Sequence, residues 1–371
     1  MFDKGVVAPA TNSGMICWIQ RRAEWCGKRF SRKRKMIATP RAMALRPTLR
    51  ESFSIPQRSN YSLAAMHLCL NLFQLVILPL YLLPRSLWWG VSIVPIAAMN
   101  NPFWALIHEA IHDLLSADAR ANAALGRALA ICFGSPFQIL RLTHLSHHKF
   151  NRSPLEKGTE IYNPAEISKF TAAVKYFFYI LCGLYLLEVV SPLAFYVPLP
   201  LFRKMRRRVI ERGNAQERWL ARKFKDERRV REIRLDGAAI IFLFGLSAYW
   251  FRAHLLVFAG MMGMRTFLIS FMDNVYHYRT RLRVTISGHN LFLPERFSSL
   301  ILHFNLHRVH HAHPSIPWNS LPVVFARRAE CFDRSFCAAA WQQIYGPVSI
   351  YDPLVAPASN VEEAGNPREP Q

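Results

Sequence analysis

Long apolar stretches, separated by basic blocks and clusters of histidine, organise the chain. Ser62 to Leu83 runs about 20 residues almost without charge, enough for a helix to cross the ~30 Å hydrocarbon core of a bilayer. Pro84-Arg85-Ser86 predicts a turn, and Leu87 to Ile107 is a second stretch of similar length. Together they predict a helical hairpin whose ends return to one side, with Trp88 and Trp89 in the aromatic belt at its turn. Leu125 to Leu140 is shorter and predicts a helix in the interface or beneath a catalytic domain. Phe170 to Leu201 is apolar over about 32 residues, broken by Pro192, Pro198 and Pro200. Gly237 to Met272 is apolar again, with Arg252 and His254 near its middle. Each of these last two is long enough for a hairpin of short or tilted spans. The pattern therefore predicts an all-α integral membrane protein with four to six spans in hairpins.

Composition and charge sharpen this picture. The 371 residues are 51% hydrophobic and 19% charged, and 47 Lys and Arg against 24 Asp and Glu give a formal net charge of +23. Such a charge first suggests a nucleic-acid partner. A mean hydropathy of +0.08 is too high for a basic soluble domain, and the charges come in blocks. Residues 1–60 hold 13 basic and three acidic residues, and Arg203 to Arg234 holds 14 basic and five acidic. The positive-inside rule puts both blocks in the cytoplasm, with an even number of crossings between them. The charge is then a signal for orientation and docking, and nucleic acid is not an expected partner. The expected location is an inner or plasma membrane.

No apolar core follows the N-terminal charges closely, which argues against a cleaved secretory signal. Three readings of residues 1–60 remain: a disordered basic tail, a transit-type segment, or an over-long reading frame that starts at Met36 or Met43. The tail and the late start are favoured, and a start at Met43 lowers the formal charge to about +15 by removing ten basic and two acidic residues. The tail from Asp352 is rich in Pro, Ala and acids, so the expected division is 1–60 extension, 61–345 membrane domain and 346–371 disordered tail. Seven cysteines form no CxxC pair or framework, so no structural disulfide is expected and the polar parts face a reducing compartment.

The candidate chemistry lies in the 14 histidines. His108-Glu-Ala-Ile-His112 follows the second stretch, His144-Leu-Ser-His147-His148 comes next, and His307-Arg-Val-His310-His311 lies near the end. Residues three and four apart share a helix face, so each cluster aims two or three imidazoles at one region. Eight imidazoles beside membrane spans need a partner that offsets their desolvation, and metal is the obvious one, with more than one ion accommodated. His108-Glu109-Ala110-Ile111-His112 also satisfies HExxH, the zinc metalloprotease signature, with Asp236 in Leu235-Asp236-Gly237 as a third ligand. That reading leaves both HxxHH clusters without a purpose.

At these residues the sequence resembles the membrane fatty acid desaturase family, marked by HxxxH, HxxHH and HxxHH boxes between transmembrane hairpins. Arg141-Leu-Thr-His144-Leu-Ser-His147-His148-Lys-Phe-Asn151 resembles the second box with its flanks. Asn305-Leu-His307-Arg-Val-His310-His311-Ala-His-Pro314-Ser-Ile-Pro317-Trp318 resembles the third. The resemblance covers residues 60 to 330 and implies two iron ions held on the cytoplasmic side by His108, His112, His144, His147, His148, His307, His310 and His311. It adds a further histidine before the third box, best matched by His277, with His289 a competitor. Where related acyl-CoA enzymes place Asn, this chain has Asp273, either touching a metal-bound water or orienting His277. Glu109, Asp113 and Asn305 are candidates to accept the second ring N–H of box histidines. Arg265 is expected to pair with Asp273, and Trp104, Phe133 and Phe137 are candidate lining of an apolar tunnel.

The implied reaction is O2-dependent desaturation of a long acyl chain carried as acyl-lipid, acyl-CoA or acyl carrier protein. The chain has no flavin, nicotinamide or ferredoxin fingerprint and no fused haem motif. The resemblance therefore implies a separate ferredoxin or cytochrome as electron donor. Hydroxylases and carotenoid ketolases or hydroxylases carry the same boxes, and the His-His-x-x-Pro-x-x-Pro-Trp ending is shared with some carotenoid enzymes.

Overall fold

The structure, a computed structural model, describes residues 53–357. Most of the expected basic extension and the end of the expected tail lie outside the described residues. The described chain is mostly helical, as the pattern predicts. Helix α1 (Gln57–Leu82) rises to the Pro84 turn and returns as α2 (Leu87–Ala98) and α3 (Asn100–Ile111), which meet at a 44° bend. The next pair, α4 (Ala119–Phe133) and α5 (Phe137–Phe150), is bent by 97° about Gly134, whose φ of +105° is left-handed. α6 (Lys169–Tyr196) is a single 28-residue helix rather than a hairpin. A basic arm follows, α7 (Leu199–Arg212) and α8 (Ala215–Lys223). α9 (Glu227–Trp250) and α10 (Arg252–Val275) then form a second hairpin with Arg252 and His254 in its turn.

The first helix is amphipathic in the reverse sense of a soluble one. Its buried face carries Asn60, His67, Asn71 and Gln74 beside Ala64, Leu75 and Leu78, while Leu72, Ile77, Leu80 and Tyr81 are exposed. Lipid makes this the favourable arrangement, because apolar side chains need no protein cover there and polar groups do. Asn60 donates to the Leu114 and Leu115 carbonyls at 3.1 and 3.0 Å and accepts from the Trp318 indole at 2.9 Å. Arg265 on α10 donates to Asn71 Oδ1 at 2.6 Å and to the Cys132 carbonyl at 2.9 Å. It does not pair with Asp273 as expected: residues eight apart on a helix are separated by about 12 Å along its axis, so the nearer polar face of α1 supplies the partner.

Four helices are long and apolar enough to cross a membrane (α1, α6, α9 and α10), or up to six if each bent pair counts as one. The contacts separate α6 from the others. The Pro84 and Arg252 turns lie at one end of the molecule, where the side chain of Val257 faces Gly90. Near its start α6 meets the opposite end, with Tyr176 donating to the Gln343 carbonyl at 2.9 Å beside Asn274. Near its finish Tyr196 donates to the Arg234 carbonyl at 2.6 Å. At 1.5 Å per residue, Asn274 is about 33 Å and Arg234 about 24 Å from the turn of the α9–α10 hairpin. The helix therefore falls only about 10 Å while advancing about 30 Å, and it lies across the hairpin rather than along it. Phe170, Val174, Phe178, Leu181, Leu187, Val190 and Leu193 remain exposed along it, an apolar stripe suited to the bilayer.

The remaining chain caps the helices at the end away from the turns. α11 (Glu295–Leu300), α12 (His307–Ala312), α13 (Leu321–Arg327) and α14 (Phe336–Gln342) are short. Two small parallel pairs tie this cap together: β1 (Ile161–Tyr162) with β4 (Val348–Ser349), and β2 (Leu291–Phe292) with β3 (Arg334–Ser335). The packed chain runs past the expected boundary at 345, because β4 needs β1 and Val355 is fully buried against Leu282. In a cysteine-depleted background, single cysteines at Lys169 and Lys204 should react with an impermeant maleimide from the same side of the membrane. Opposite-side labelling would make α6 a crossing helix.

Candidate metal centre

Each histidine box occupies a helix end. His108 is in the last turn of α3 and His112 caps it; His144, His147 and His148 lie on the last two turns of α5. His277 follows the end of α10, and His307, His310 and His311 make up α12. The C-terminal turn of a helix carries partial negative charge, so α3 and α5 bring dipoles that favour a cation.

Folding gathers nine imidazoles into two adjoining groups. His108, His112, His144, His148 and His310 form one, and His147, His277, His307 and His311 the other. Within each group one ring nitrogen per residue lies within 4.8 Å of all the others. In the first, Nε2 of His144 is 3.1 Å from that of His112 and 2.9 Å from that of His148, which is 3.1 Å from that of His310. In the second, Nε2 of His277 is 3.1 Å from that of His147 and 2.9 Å from that of His307, which is 3.1 Å from that of His311. The groups abut where the His148 and His311 rings stack at 4.3 Å.

These nitrogens cannot satisfy one another. A neutral imidazole Nε2 is either one donor or one acceptor, yet that of His144 has two such neighbours and that of His108 is buried with no hydrogen-bond partner at all. Burial, reinforced by the charge of neighbouring rings, holds His307, His310 and His311 well below the usual imidazole range. They therefore present lone pairs at neutral pH, the state a metal needs. The donor sets, five nitrogens in one group and four in the other, are compatible with metal binding.

His277 joins the second group and His289 does not. The His289 Nε2 approaches the Tyr278 carbonyl at 2.9 Å and its Nδ1 lies 3.7 Å from Asp333. The expected outer partners are elsewhere. Glu109 accepts from the Trp318 amide at 3.2 Å, because it points away from the face that carries His108 and His112. Asp113 pairs with Arg141 at 2.6 Å, and Asn305 bonds Ser298 and the Leu291 carbonyl. The groups that do reach a box histidine are Glu156, 2.5 Å from His147 Nδ1, and the Ser287 carbonyl, 3.1 Å from His277 Nδ1. Glu156 had a sequence signal, a lone acid eight residues beyond the second box; Ser287 acts through its backbone and had none.

The zinc protease arrangement is not formed. Its base, Glu109, is bound to a backbone amide, and its third ligand, Asp236, is buried in an ion pair with Arg127 at 2.5 Å.

A cavity of about 570 Å³ adjoins the histidines. Its metal end holds His144, His147, His277, His307 and Asp273, and Trp104 lies edge-on to His144 there. Leu184, Leu187 and Ser191 of α6 line it, as do Lys157 and Thr159 of the loop after α5. Phe133 and Phe137, expected as lining, are instead in the core beneath it. Glu188 of α6 and Asp273 line both this cavity and a narrow one that continues between α3 and α10.

The loop after α5 braces the site. Arg152 and Glu160 form a buried ion pair at 2.8 Å, and Arg152 also donates to the His277 carbonyl. Gly158, with φ of +96°, lies against both side chains, where a Cβ would be 2.3 Å from the guanidinium.

Clusters of imidazole at the end of a bundle of helices long and apolar enough to cross a membrane are compatible with metal binding. A family model described as fatty acid desaturase matches residues 86–341, well over half of the chain, and the protein belongs to that family. No curated protein shows a significant match. Family membership implies oxidoreductase chemistry on a lipid at the membrane.

Glu160→Gln should leave the Arg152 charge buried and unpaired, a loss of about 3–5 kcal/mol. A thermal melt of the purified protein in detergent checks this, and an unchanged midpoint would refute the bracing role.

Proposed function

We propose that the protein desaturates a long fatty acyl chain with O2, using two irons held by the five-histidine and four-histidine groups. The observation that carries this reading is the convergence of nine imidazoles beside a cavity lined in part by α6. Bound iron supplies, with O2 and two electrons, the oxidising power that removing hydrogen from an unactivated methylene requires. The chain's own residues ligate, orient and exclude water. Leu184 and Leu187 offer an acyl chain apolar contact on its way from the bilayer, while Trp104 limits its approach to His144. Lys157 and Thr159 stand where a polar carrier group would remain in water.

Electrons come from a separate ferredoxin or cytochrome. The arm α7–α8 presents Lys204, Arg207 and Arg208 to solvent, a surface complementary to an acidic carrier. We assign this arm, the basic N-terminal residues and the histidine groups to the cytoplasmic side of an inner or plasma membrane. Asp273 is assigned to the second iron's surroundings through the cavity it shares with His147 and His277.

A second reading is hydroxylation or ketolation. Glu188 and Asp273 are two of the four acids that line the cavity, and they suit a substrate or product bearing a hydroxyl better than a bare alkyl chain.

Expression in a bacterial host, with its lipids analysed by gas chromatography–mass spectrometry, should yield new monounsaturated chains. His147→Ala and His310→Ala should abolish them and lower bound iron. Hydroxylated or ketolated products would transfer the assignment to the second reading. Zinc as the only metal, with activity surviving both substitutions, would overturn both readings. Replacing Lys204, Arg207 and Arg208 by Gln should raise KM for the reduced carrier several-fold with little change in kcat. An unchanged KM at low ionic strength would remove the arm as the docking surface.

A further inference from the structure

The two histidine groups differ in what stands behind them. In the four-histidine group, the Nδ1 atoms of His307 and His311 are buried without a hydrogen-bond partner, and that of His277 faces a neutral backbone carbonyl. Only His147 in this group has an ionisable carboxylate behind its ring, Glu156 Oε1 at 2.5 Å. An imidazole that donates Nδ1–H to a carboxylate is fixed in the tautomer whose Nε2 lone pair faces inward, and its basicity rises. The second oxygen of Glu156 accepts from Gln216 Nε2 at 3.0 Å, and the same nitrogen lies 3.2 Å from Ser146 Oγ. Gln216 belongs to the first turn of α8, held by a capping box in which Asn214 and Glu217 satisfy each other's amides.

Building on the two-iron reading, we propose that Glu156 is a positioning residue that makes His147 a competent ligand, and that Gln216 links it to the basic arm. The arm is thereby one hydrogen-bonded relay away from the four-histidine group: Gln216 orients Glu156, and Glu156 orients His147. The five-histidine group takes no ligand from this relay. Loss of the carboxylate's charge therefore falls on one metal position and spares the other.

The test is an iron(II) titration of the full-length protein in detergent against a competing chelator, with Mössbauer spectra of the samples. Glu156→Gln keeps the shape of the side chain and removes its charge. It should weaken one of two iron equivalents by roughly 10–100-fold, as is typical for loss of such a partner, and deplete one ferrous component of the spectrum. Gln216→Leu, which leaves the carboxylate in place, should give a smaller shift of the same component. Equal weakening of both equivalents, or two unshifted equivalents in Glu156→Gln, would overturn the inference. If the unaltered protein binds no iron, the two-iron reading itself fails. A lowered melting temperature of apo Glu156→Gln with unshifted iron affinity would show a role in folding alone and refute positioning.

Discussion

Nine imidazoles gathered into two adjoining groups, five of them buried and four half-buried, are the constraint on which the rest of the structure depends. Without a cation, such a cluster loses the hydration of its buried rings and gains few hydrogen bonds in return. With one, the ring lone pairs become ligands and their desolvation is offset by binding. The fold brings α3, α5, the end of α10 and α12 to one place, and their box histidines face one another there. The supporting groups are rigid for the same reason: Arg152 holds the His277 carbonyl, Asn151 holds the Thr285 and Ser287 carbonyls, and Trp318 ties the third box to Asn60 of α1.

The membrane sets the second condition. The helical bundle buries polar side chains alongside its apolar core, as Asn60, Asn71 and Gln74 show on α1 and Arg265 on α10. The apolar side chains of α1 and α6 are left outside, where lipid serves them as well as protein would. α6 joins the two conditions. Its outer stripe faces the bilayer, while Tyr179, Leu184 and Glu188 line the cavity beside the histidines.

Much of this was legible in the sequence because the signals were of the right kind. The hairpins follow from the lengths of apolar runs, and the histidine groups follow from spacing on helices, repeated three times in order. His277 was reached only through resemblance, since a single histidine after a span has no spacing to mark it. What sequence could not supply was partner choice. Arg265 lies near Asp273 along the chain, yet α1 presents Asn71 closer in space. Glu109 sits next to His108, and adjacency on a helix turns a side chain about 100° away from its neighbour's target, while Asp113 and Asn305 lie just outside their helices and bond Arg141 and Ser298. The 32-residue apolar run after Ser168 also has the composition of a hairpin. Only its contacts with Gln343 at one end and Arg234 at the other lay it across the bundle as a single helix.

The HExxH match at His108 illustrates why a constellation outweighs a motif. As a motif it calls for two histidines, a catalytic glutamate and a third ligand. The fold gives the glutamate to a backbone amide of Trp318 and the aspartate to Arg127. Those two acids are thereby neutralised as metal partners, while Glu156, which no protease pattern requires, stands behind a histidine. Acids are thus sorted by the folded environment. Those that would compete for a metal are engaged elsewhere, and the one placed to strengthen an imidazole acts from outside the cluster. The result is an all-nitrogen donor surface with a single carboxylate behind its second group and Asp273 at its cavity edge. That surface, rather than any five-residue pattern, is what distinguishes an oxidative site from a hydrolytic one in this chain.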